Sequence, residues 1–558
     1  MAALDNLRIL ADFNRNGLWD HALSDITGRV RSASWSYGFD APLQKMAPPA
    51  GGTVVLDNSD GAFNVGKAGG LYADVLRRDV LIQFQHVLGT TLGGYTITPY
   101  PITVLRVVDI QITAGQFGAR VVVLTLGDWQ TELMSAVYDP PLMTNTTTGV
   151  AVAAPFAEGL VPLSYAVQYW VLGASVLDTD TTLFGPGQAY SSFYLGETTL
   201  PYVGDNIDRG GGVSLYSFVE EMCTAEMDGR FWLDTWQGLS GYGPRPRWRF
   251  MGRLDIADRY EPENTYTIPA SRFMDTGHDY EYGRMLCNAV EVTIYPRRVG
   301  SAGSELARSA NAFRLRAGES RSLTLRYRDP DFPDGTCTAT TIITPVASTD
   351  YTANTESDGS GTDMTSSLSV ACENRTNATY IAVGNKATAS NSSSGDLYVT
   401  LLKVRGTPMT ARQPVTLNSA DAQSIYDYGK QSQSMTIAGV EDVELVQAYA
   451  DYYIQRYKDP IARYRRVMFE YPEDASDPMY RPALILPLYF AGLRITDDWI
   501  EDVENTVLHW VAGVRHEVDG RARTWRTTWF LEDYIQQAFW RVGDDDLGVL
   551  DTSTRLAF

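Results

Sequence analysis

The sequence predicts a mainly β, multidomain (α+β) protein with few helices. Its 558 residues correspond to about three to five domains of the usual size. A hydrophobic fraction of 44% and a charged fraction of 20% are typical of chains that bury a core. Strand-like segments bounded by turn residues recur along the chain, for example ARVVVLTLGDW (119–129) and NAVEVTIYPRR (288–298). The 32 Tyr and 12 Trp favour strands and also suit surfaces that pack against other chains.

One helix is predicted at SLYSFVEEMCTAEM (214–227). The apolar residues that recur there at the spacing of one helical face are Leu215, Phe218, Val219, Met222 and Cys223. Gly229 ends this helix, and RFWLDTWQG (230–238) is predicted to continue as a strand and a turn.

A second helix is predicted at VEDVELVQAYADYYIQRYKDP (440–460). Acidic residues open it, Arg456 and Lys458 lie near its end, and Pro460 stops it, as the helix dipole and the geometry of proline prefer. SYAVQYWVLGA (164–174) predicts a weaker helix.

The composition changes near Pro330. From there to Gly406 the chain is rich in Thr, Ser, Ala, Asn and Gly, and poor in Leu and in charge. Two interpretations remain open, a compact β-sandwich inserted between two halves of another domain and a disordered segment. The good strand pattern LYVTLLKVRG (397–406) at its end favours the sandwich.

The formal net charge of −21 excludes the basic footprint of a nucleic-acid-binding protein. An acidic surface repels phosphate, which would allow DNA to pass without binding, and solubility is the alternative explanation. The segment MAALDNLRILADF has no basic start and no long apolar run, so we expect no signal peptide and no membrane anchor. We therefore expect synthesis in a host cytoplasm.

The four cysteines include no CxxC pair, which argues against a zinc site. Cys223 and Cys287 lie among apolar residues and are predicted to be small core residues. Cys337 and Cys372 lie in one segment, and whether they pair stays open.

The stretch DFNRNGLWD imitates the start of a calcium loop. The residues at the matching positions are Asp12, Asn14, Asn16, Gly17 and Asp20. The twelfth position is Leu23, where such a loop needs a bidentate carboxylate. A turn that enters the first strand is therefore the preferred interpretation.

The stretch GGTVVLDNSDGAFNV (51–65) runs from an apolar strand into a cluster of polar residues. Asp57 and Asp60 are candidates for acid/base work, and their partner group would have to come from elsewhere in the fold. Asn, Asp, Ser and Gly are also the residues that a turn between strands requires. The sequence leaves both interpretations open.

The histidines and glycines give no recognisable catalytic motif, such as HExxH, GxSxG or a P-loop. His509 and His516 are seven residues apart on one predicted strand, which places them on opposite faces if the strand is regular. The glycines of DRGGGVS (208–214) suit either an anion cradle before the following helix or a flexible turn.

Five segments, taken in order, resemble the tail hub proteins of tailed bacteriophages, which are also described as minor tail proteins. The segments are GGTVVLDNSDGAFNV with LYADVLRRDVLIQF (51–84), SLYSFVEEMCTAEMDGRFWLDTWQG (214–238), MLCNAVEVTIYPRR (285–298), SIYDYGKQSQSM with the helix and strand that follow (424–470), and WVAGVRHEVDGRARTWRTTWFLE (510–532). They span most of the chain.

The resemblance implies a structural virion protein at the distal end of a tail, with no enzymatic activity, no catalytic residue, no cofactor and no metal. It implies a homotrimer in which each chain carries two domains similar to tail-tube subunits, so that three chains form a pseudo-sixfold ring through which DNA passes. The implied partners are the distal tail ring or tail-tube proteins, the tape-measure protein, and the tip spike or fibre proteins. Arg77 and Arg78 are then candidate assembly contacts, with solvated charges at a strand start as the alternative.

The resemblance also implies a division of the chain. The predicted parts are a first tube-like β domain (1–135), an α+β hub domain (136–270), a second tube-like domain (271–329 and 407–470), an inserted β-sandwich (330–406) and a C-terminal β region (471–558). Two alternatives belong to other classes, another tail-tip or receptor-binding component and a polysaccharide-degrading enzyme. Such an enzyme would need two carboxylates in one aromatic-lined cleft.

Overall fold

The computed structural model describes residues 3–135, 213–236, 245–252, 265–496 and 508–533, together with isolated strand pieces between residues 137 and 200. Within these ranges the gaps are 42–43, 65–69, 73, 88–89, 93–94, 98, 114–119, 227–228, 276–277, 284, 333, 376, 387–394, 438–439, 441, 461, 473–475 and 489–491. The helix predicted at 164–174 and most of the predicted domain at 136–270 lie outside the described residues.

Strands dominate the described residues. They are β1 (Leu7–Ala11), β2 (Val30–Gly38), β3 (Gly51–Asp57), β4 (Leu81–His86), β5 (Thr90–Leu92), β6 (Tyr95–Ile97), β7 (Tyr100–Thr113), β8 (Val121–Gly127), β9 (Val137–Tyr138), β10 (Met143–Thr144), β11 (Ala151–Val152), β12 (Val161–Pro162), β13 (Ser191–Phe193), β14 (Thr199–Leu200), β15 (Val213–Ser214), β16 (Arg230–Trp236), β17 (Arg245–Met251), β18 (Thr265–Pro269), β19 (Asp279–Tyr282), β20 (Ala289–Ile294), β21 (Arg297–Val299), β22 (Ser304–Arg308), β23 (Phe313–Leu315), β24 (Ser320–Arg326), β25 (Thr338–Ile343), β26 (Tyr351–Asn354), β27 (Leu368–Asn374), β28 (Ala378–Asn385), β29 (Leu397–Ala411), β30 (Val415–Ala420), β31 (Ser432–Ile437), β32 (Ala462–Glu470), β33 (Gly492–Thr496), β34 (Leu508–Asp519) and β35 (Thr524–Asp533).

Helices are few and short in the same part of the chain. The α-helices are α1 (Gln130–Ser135), α2 (Leu215–Ala225), α3 (Ala422–Tyr428), α4 (Val443–Tyr457) and α5 (Tyr480–Ile485). The mainly β, α+β fold class predicted from the sequence is therefore confirmed.

The largest sheet joins strands from both ends of the chain. Its order is β1-β4-β7-β8-β3-β2-β34-β35-β32-β19, with β33 beside β34 and β18 beside β33. The central pair, β2 and β34, is antiparallel and runs in register from Ser32 opposite Asp519 to Gly38 opposite Gly513. The predicted first domain and the predicted C-terminal region thus contribute strands to one continuous sheet.

Aromatic side chains fill the core beneath this junction. Trp35 of β2 stacks on Phe84 of β4 with ring centroids 3.9 Å apart. Trp525 of β35 stacks on Tyr471 at 3.7 Å, with the ring planes only 4° apart. At Gly513 two backbone segments approach closely. An added Cβ would lie 2.0 Å from the carbonyl oxygen of Phe39, so no larger residue fits there.

A second core forms where α2 and α4 pack with the small sheet β30-β20-β31. All five apolar residues predicted for one face of α2 are buried, and the predicted strand follows as β16. The side chain of Ser214 caps α2 by accepting the backbone N–H of Ser217 at 3.1 Å, and Asp442 caps α4 in the same way. Both helices predicted from apolar spacing and end signals are thus confirmed.

A third core lies between two sheets in the span 297–411. One sheet is built on the long strand β29, which pairs with β21, β22, β23, β25 and β26, and the other has the order β24-β28-β27. The β-sandwich interpretation of the Thr- and Ser-rich segment is confirmed. The predicted insertion at 330–406 lies within this span, and β21 to β24, which precede it, belong to the same two sheets.

The sandwich explains its own unusual composition. Along β27, Leu368 lies in the core with Val370 and Cys372 packed against it, whereas the alternating positions Ser369 and Glu373 are exposed. Small polar residues on the outer face therefore reflect a half-buried sheet rather than a disordered segment.

Candidate functional site

The acidic stretch after β3 is a turn whose carboxylates are already occupied. Asp57 and Asp60 each accept a hydrogen bond from the backbone N–H two residues further along, at 2.8 and 3.0 Å. Asp57 also pairs with Arg31 at 3.1 Å, and Asp60 pairs with Arg29 at 2.9 Å. The backbone hydrogen bonds, helped by the arginines, lower the pKa of both carboxyl groups. A general acid needs the opposite shift, so this pair is poorly suited to proton donation near neutral pH.

The same turn builds a local aromatic cluster. The buried Asn58 accepts the backbone N–H of Phe63 at 3.0 Å, and Gly61 takes the positive φ of 72° that the turn requires. The Phe63 ring then stacks on Tyr72 at 4.3 Å, with the guanidinium of Arg29 within 5.5 Å of both rings. DNSDG is therefore a structural turn that seats an aromatic side chain.

The calcium-like stretch is also a self-satisfied turn. Both oxygens of Asp12 accept backbone N–H groups, those of Asn16 at 3.2 Å and Gly17 at 2.7 Å. The amide groups of Asn14 and Asn16 donate to Asp20 at 2.6 and 3.0 Å, so N–H groups face this carboxylate where a cation would need oxygen atoms. We expected this turn to enter the first strand, and that expectation was wrong. Strand β1 begins at Leu7, so the turn follows it.

Metal binding has no other support in the described part of the chain. There, no group of three or more His, Cys, Asp or Glu side chains is arranged to hold an ion. No helix in this part is long and apolar enough to cross a bilayer. The glycines 210–212, considered as an anion cradle, lie outside the described residues.

Arg77 and Arg78 are both exposed in the turn that leads into β4. Arg78 donates from Nε to the carbonyl oxygen of Val108 at 2.7 Å, and its own carbonyl accepts from Arg15 at 2.6 Å. Arg77 forms no ion pair with any described residue. Their role as assembly contacts remains a prediction.

The two histidines of β34 do not face opposite sides as expected. The pairing of β34 with β35 shifts between Val511 and Gly513, which leaves Ala512 as an extra residue. The extra residue shifts the alternation of side chains between the two faces of the strand by one position. Val511 and Val514 therefore both lie in the largest core, and His509 and His516 are both buried. A regular strand was assumed, and the bulge makes that assumption wrong.

The cysteines are structural. Cys223 and Cys287 are buried in the second core, as predicted. Cys337 and Cys372 are both free thiols, so they do not form a disulfide. Cys337 donates to the carbonyl oxygen of Arg328 at 3.0 Å, and burial raises its pKa to about 12, which leaves the thiol protonated and unreactive.

A surface cavity of about 670 Å³ lies at the base of the sandwich. Its lining includes Asp329, Asp331, Phe332 and Arg298. Asp329 accepts the backbone N–H of Asp331 at 2.8 Å, and Asp331 lies 3.8 Å from Arg298. Both carboxylates are thus engaged in a turn or an ion pair. That this chain is not an enzyme remains a prediction.

One buried amide organises a surface that sequence reasoning missed. Asn288, in the segment just before β20, is fully buried. Its side chain donates to Ser424 at 3.2 Å and to the carbonyl oxygen of Gly429 at 2.8 Å, and it accepts the N–H of Gln431 at 2.7 Å. Three hydrogen bonds to one buried side chain fix helix α3 and the loop after it.

This anchored helix presents exposed aromatic rings. Tyr426 and Tyr428 of α3 are 84% and 44% exposed, and Tyr282 at the end of β19 is 70% exposed. We call these three residues the tyrosine patch. Partial loss of solvent raises the pKa of Tyr428, and Tyr282, Asp459 and Asp427 raise it further. Sequence reasoning had no signal for this patch, because the distant Asn288 sets the position of the short helix that carries Tyr426 and Tyr428.

Comparison with protein-family models finds no match, and comparison with curated proteins finds none. Solved structures do match over nearly the whole chain. A tail protein from Neisseria meningitidis MC58 is 10% identical, with a TM-score of 0.40 and 95% of this chain and 97% of that chain covered. A 43 kDa tail protein of prophage MuSo2 from Shewanella oneidensis is 7% identical, with a TM-score of 0.40 and coverages of 94% and 98%. Prophage tail protein gp18 from Listeria monocytogenes EGD-e is 7% identical, with a TM-score of 0.37 and 95% of each chain covered. Each of the three is described as a tail protein.

Proposed function

We propose that this chain is a structural protein of a phage-type tail, the central hub of a tail tip or baseplate. In this role three copies close into a ring that joins the tail tube to the tip, and DNA passes through the ring without specific binding. The partners are tail-tube or distal ring proteins on one side, spike or fibre proteins on the other, and the tape-measure protein. No cofactor is needed.

The observation that carries the proposal is the order of the five resembling segments and their position on defined elements. The first covers β3, its turn and the start of β4, the second covers α2 and β16, and the third contains β20. The fourth runs from within α3 through β31, α4 and β32, and the fifth covers most of β34 and most of β35. The five segments keep their order over most of the chain, and this order supports the proposal.

The geometry of the acidic turn supports a structural role. Asp57 and Asp60 are both held by backbone N–H groups and arginines, and Phe63 is buried behind them. Every polar group that made this stretch a catalytic candidate is used to shape the turn. The chemistry of the stretch is therefore that of a scaffold.

Electron microscopy of the purified chain tests the proposal. We expect ring-shaped particles with threefold symmetry and a central channel wide enough for duplex DNA. Single particles without a channel, at concentrations where light scattering also gives the mass of one chain, would overturn the hub assignment. A ring of another symmetry would overturn the trimer while leaving a tail role in place.

A further inference from the structure

The cavity at the base of the sandwich has a two-stranded ribbon as its floor. In this ribbon β21 pairs with β29, and Arg298 lies opposite Thr410. The backbone N–H of Arg412 donates to the carbonyl oxygen of Pro296 at 2.7 Å, which extends the pairing at one end. Side chains alternate along a strand, so these four residues share one face of the ribbon, and all four line the cavity.

The loop between β24 and β25 forms one wall and presents an aromatic ring. The backbone N–H of Phe332 donates to the carbonyl oxygen of Asp329 at 3.2 Å, and the carbonyl oxygen of Phe332 accepts the N–H of Gly335 at 2.7 Å. These hydrogen bonds hold the backbone on both sides of the ring. The Phe332 side chain is 70% exposed and lines the cavity, so its apolar surface is available to a ligand.

Several polar side chains of the lining have no partner among the described residues. Within that part of the chain, Thr410, Arg412 and Gln413 form no side-chain hydrogen bond. Arg298 and Asp331 lie 3.8 Å apart, which is longer than a hydrogen bond, and both are exposed. The lining therefore offers a ligand both donors and acceptors of hydrogen bonds.

The charges of the lining cancel. The four charged side chains are Arg298, Arg412, Asp329 and Asp331. Arg328 and Asp334, the next charged residues of the loop, are both exposed and again cancel. A ligand with a net charge would therefore gain little from the field of this site, which favours an uncharged one. The volume of about 670 Å³ lies within the usual range of small-molecule sites.

We propose that this cavity binds an uncharged oligosaccharide. A sugar ring has a face of C–H groups, which packs on an aromatic ring, and a rim of hydroxyl groups that donate and accept hydrogen bonds. Phe332 supplies the ring, and Arg412 and Gln413 supply hydrogen-bonding groups. An extended peptide would need free backbone groups to pair with, whereas those of the floor are used within the ribbon. Sugar binding here goes beyond the proposed hub role and does not depend on it.

Saturation-transfer NMR of the full chain tests the proposal, with a panel of uncharged, sialylated and sulfated di- and trisaccharides. We expect an uncharged member to bind with a Kd of about 1 mM or tighter. F332A is expected to weaken this binding about tenfold by removing the stacking surface, and R412A/Q413A about tenfold by removing hydrogen-bonding groups.

Two matched controls are available. Y380A removes an exposed tyrosine of β28 that does not line the cavity, and R521A removes an exposed arginine in the turn between β34 and β35. Both are expected to leave sugar binding unchanged. An unchanged urea midpoint identifies the variants that remain folded.

Three results would overturn the inference. They are no binding of any uncharged saccharide of the panel, binding that F332A and R412A/Q413A leave unchanged, and tighter binding of the sulfated or sialylated members. Failure of the hub role would be recognised separately. A wild-type chain that stays monomeric but binds an uncharged saccharide in the expected way would count against the ring and support this site.

Discussion

Mild acid is expected to weaken the core where strands from the two ends of the chain meet, through two buried histidines. His86 of β4 is fully buried, with Nδ1 3.2 Å from the hydroxyl of Tyr480 and its ring packed near Trp525. His516 of β34 accepts the indole N–H of Trp525 at Nδ1, at 3.2 Å. A proton added to that nitrogen would face another N–H group, so the neutral ring is favoured.

Burial lowers the pKa of His86 to about 4 and that of His516 to about 3, from an ordinary value of 6.5. A lowered native pKa gives stability that is present above pH 6.5 and is lost as the pH falls towards the native value. When the pH falls from 8 to 5, each histidine then lowers the free energy of unfolding by about 2 kcal/mol, and the two together lower it by about 4 kcal/mol.

One buried carboxyl acts in the opposite direction. Burial raises the pKa of Asp128 to about 7, although it accepts backbone N–H groups from Ala50 and Gln130. A raised native pKa makes the fold less stable as the pH rises. Acidification from pH 8 to pH 5 therefore raises the free energy of unfolding by about 2.5 kcal/mol through Asp128. From these three groups together, the wild-type protein is therefore expected to lose only about 1.5 kcal/mol of its free energy of unfolding.

Variants separate the two effects. In H516N the amide oxygen can replace Nδ1 as an acceptor, but the side chain does not titrate. Urea unfolding followed by tryptophan fluorescence at pH 8 and pH 5 is expected to show about 2 kcal/mol less acid-induced loss in H516N than in the wild type. V514A, on the same strand and in the same core, is expected to lose about 2 kcal/mol at both pH values and to keep the wild-type pH dependence. Equal pH dependence of H516N and the wild type would refute the assignment of this loss to His516.

Four further substitutions test the anchored helix and the acidic turn. N288A is expected to lower the free energy of unfolding by about 2–4 kcal/mol, because it leaves the buried N–H and carbonyl partners of the amide unpaired; an unchanged urea midpoint would contradict this. F63A is expected to cost about 3–5 kcal/mol through the cavity it leaves in the core, measured in the same way, and a loss below 1 kcal/mol would show that the turn does not seat this ring. D57N and D60N are each expected to change stability by no more than about 1 kcal/mol and to leave the native mass unchanged, since both side chains are exposed ion-pair members; a loss of assembly in either variant would assign the turn a direct contact role.

Local patterns in the sequence predicted the elements well. Helix α2 and its buried face follow from apolar spacing, and in the structure the side chain of Ser214 caps its start. The sandwich follows from the strand pattern at the end of an otherwise small and polar segment. These features depend on residues close together in the chain, where periodicity and capping act directly.

Long-range features were not predictable in the same way. The pairing of β2 with β34 joins residues from opposite ends of the chain. Nothing in the sequence of either strand indicates which strand it pairs with. The bulge at Ala512 changed the faces of two histidines because regular alternation does not encode an extra residue. Nothing in the sequence singled out Tyr426, because the position of its helix depends on hydrogen bonds to the distant Asn288.

The mass of the full chain in solution tests the closed assembly most directly. Light scattering across a concentration series is expected to give a stable particle near three times 61.7 kDa. The mass should stay constant on dilution, because a closed ring has no free ends at which to add or lose copies. A particle of 61.7 kDa at every concentration, or one whose mass grows without limit, would contradict a closed trimer.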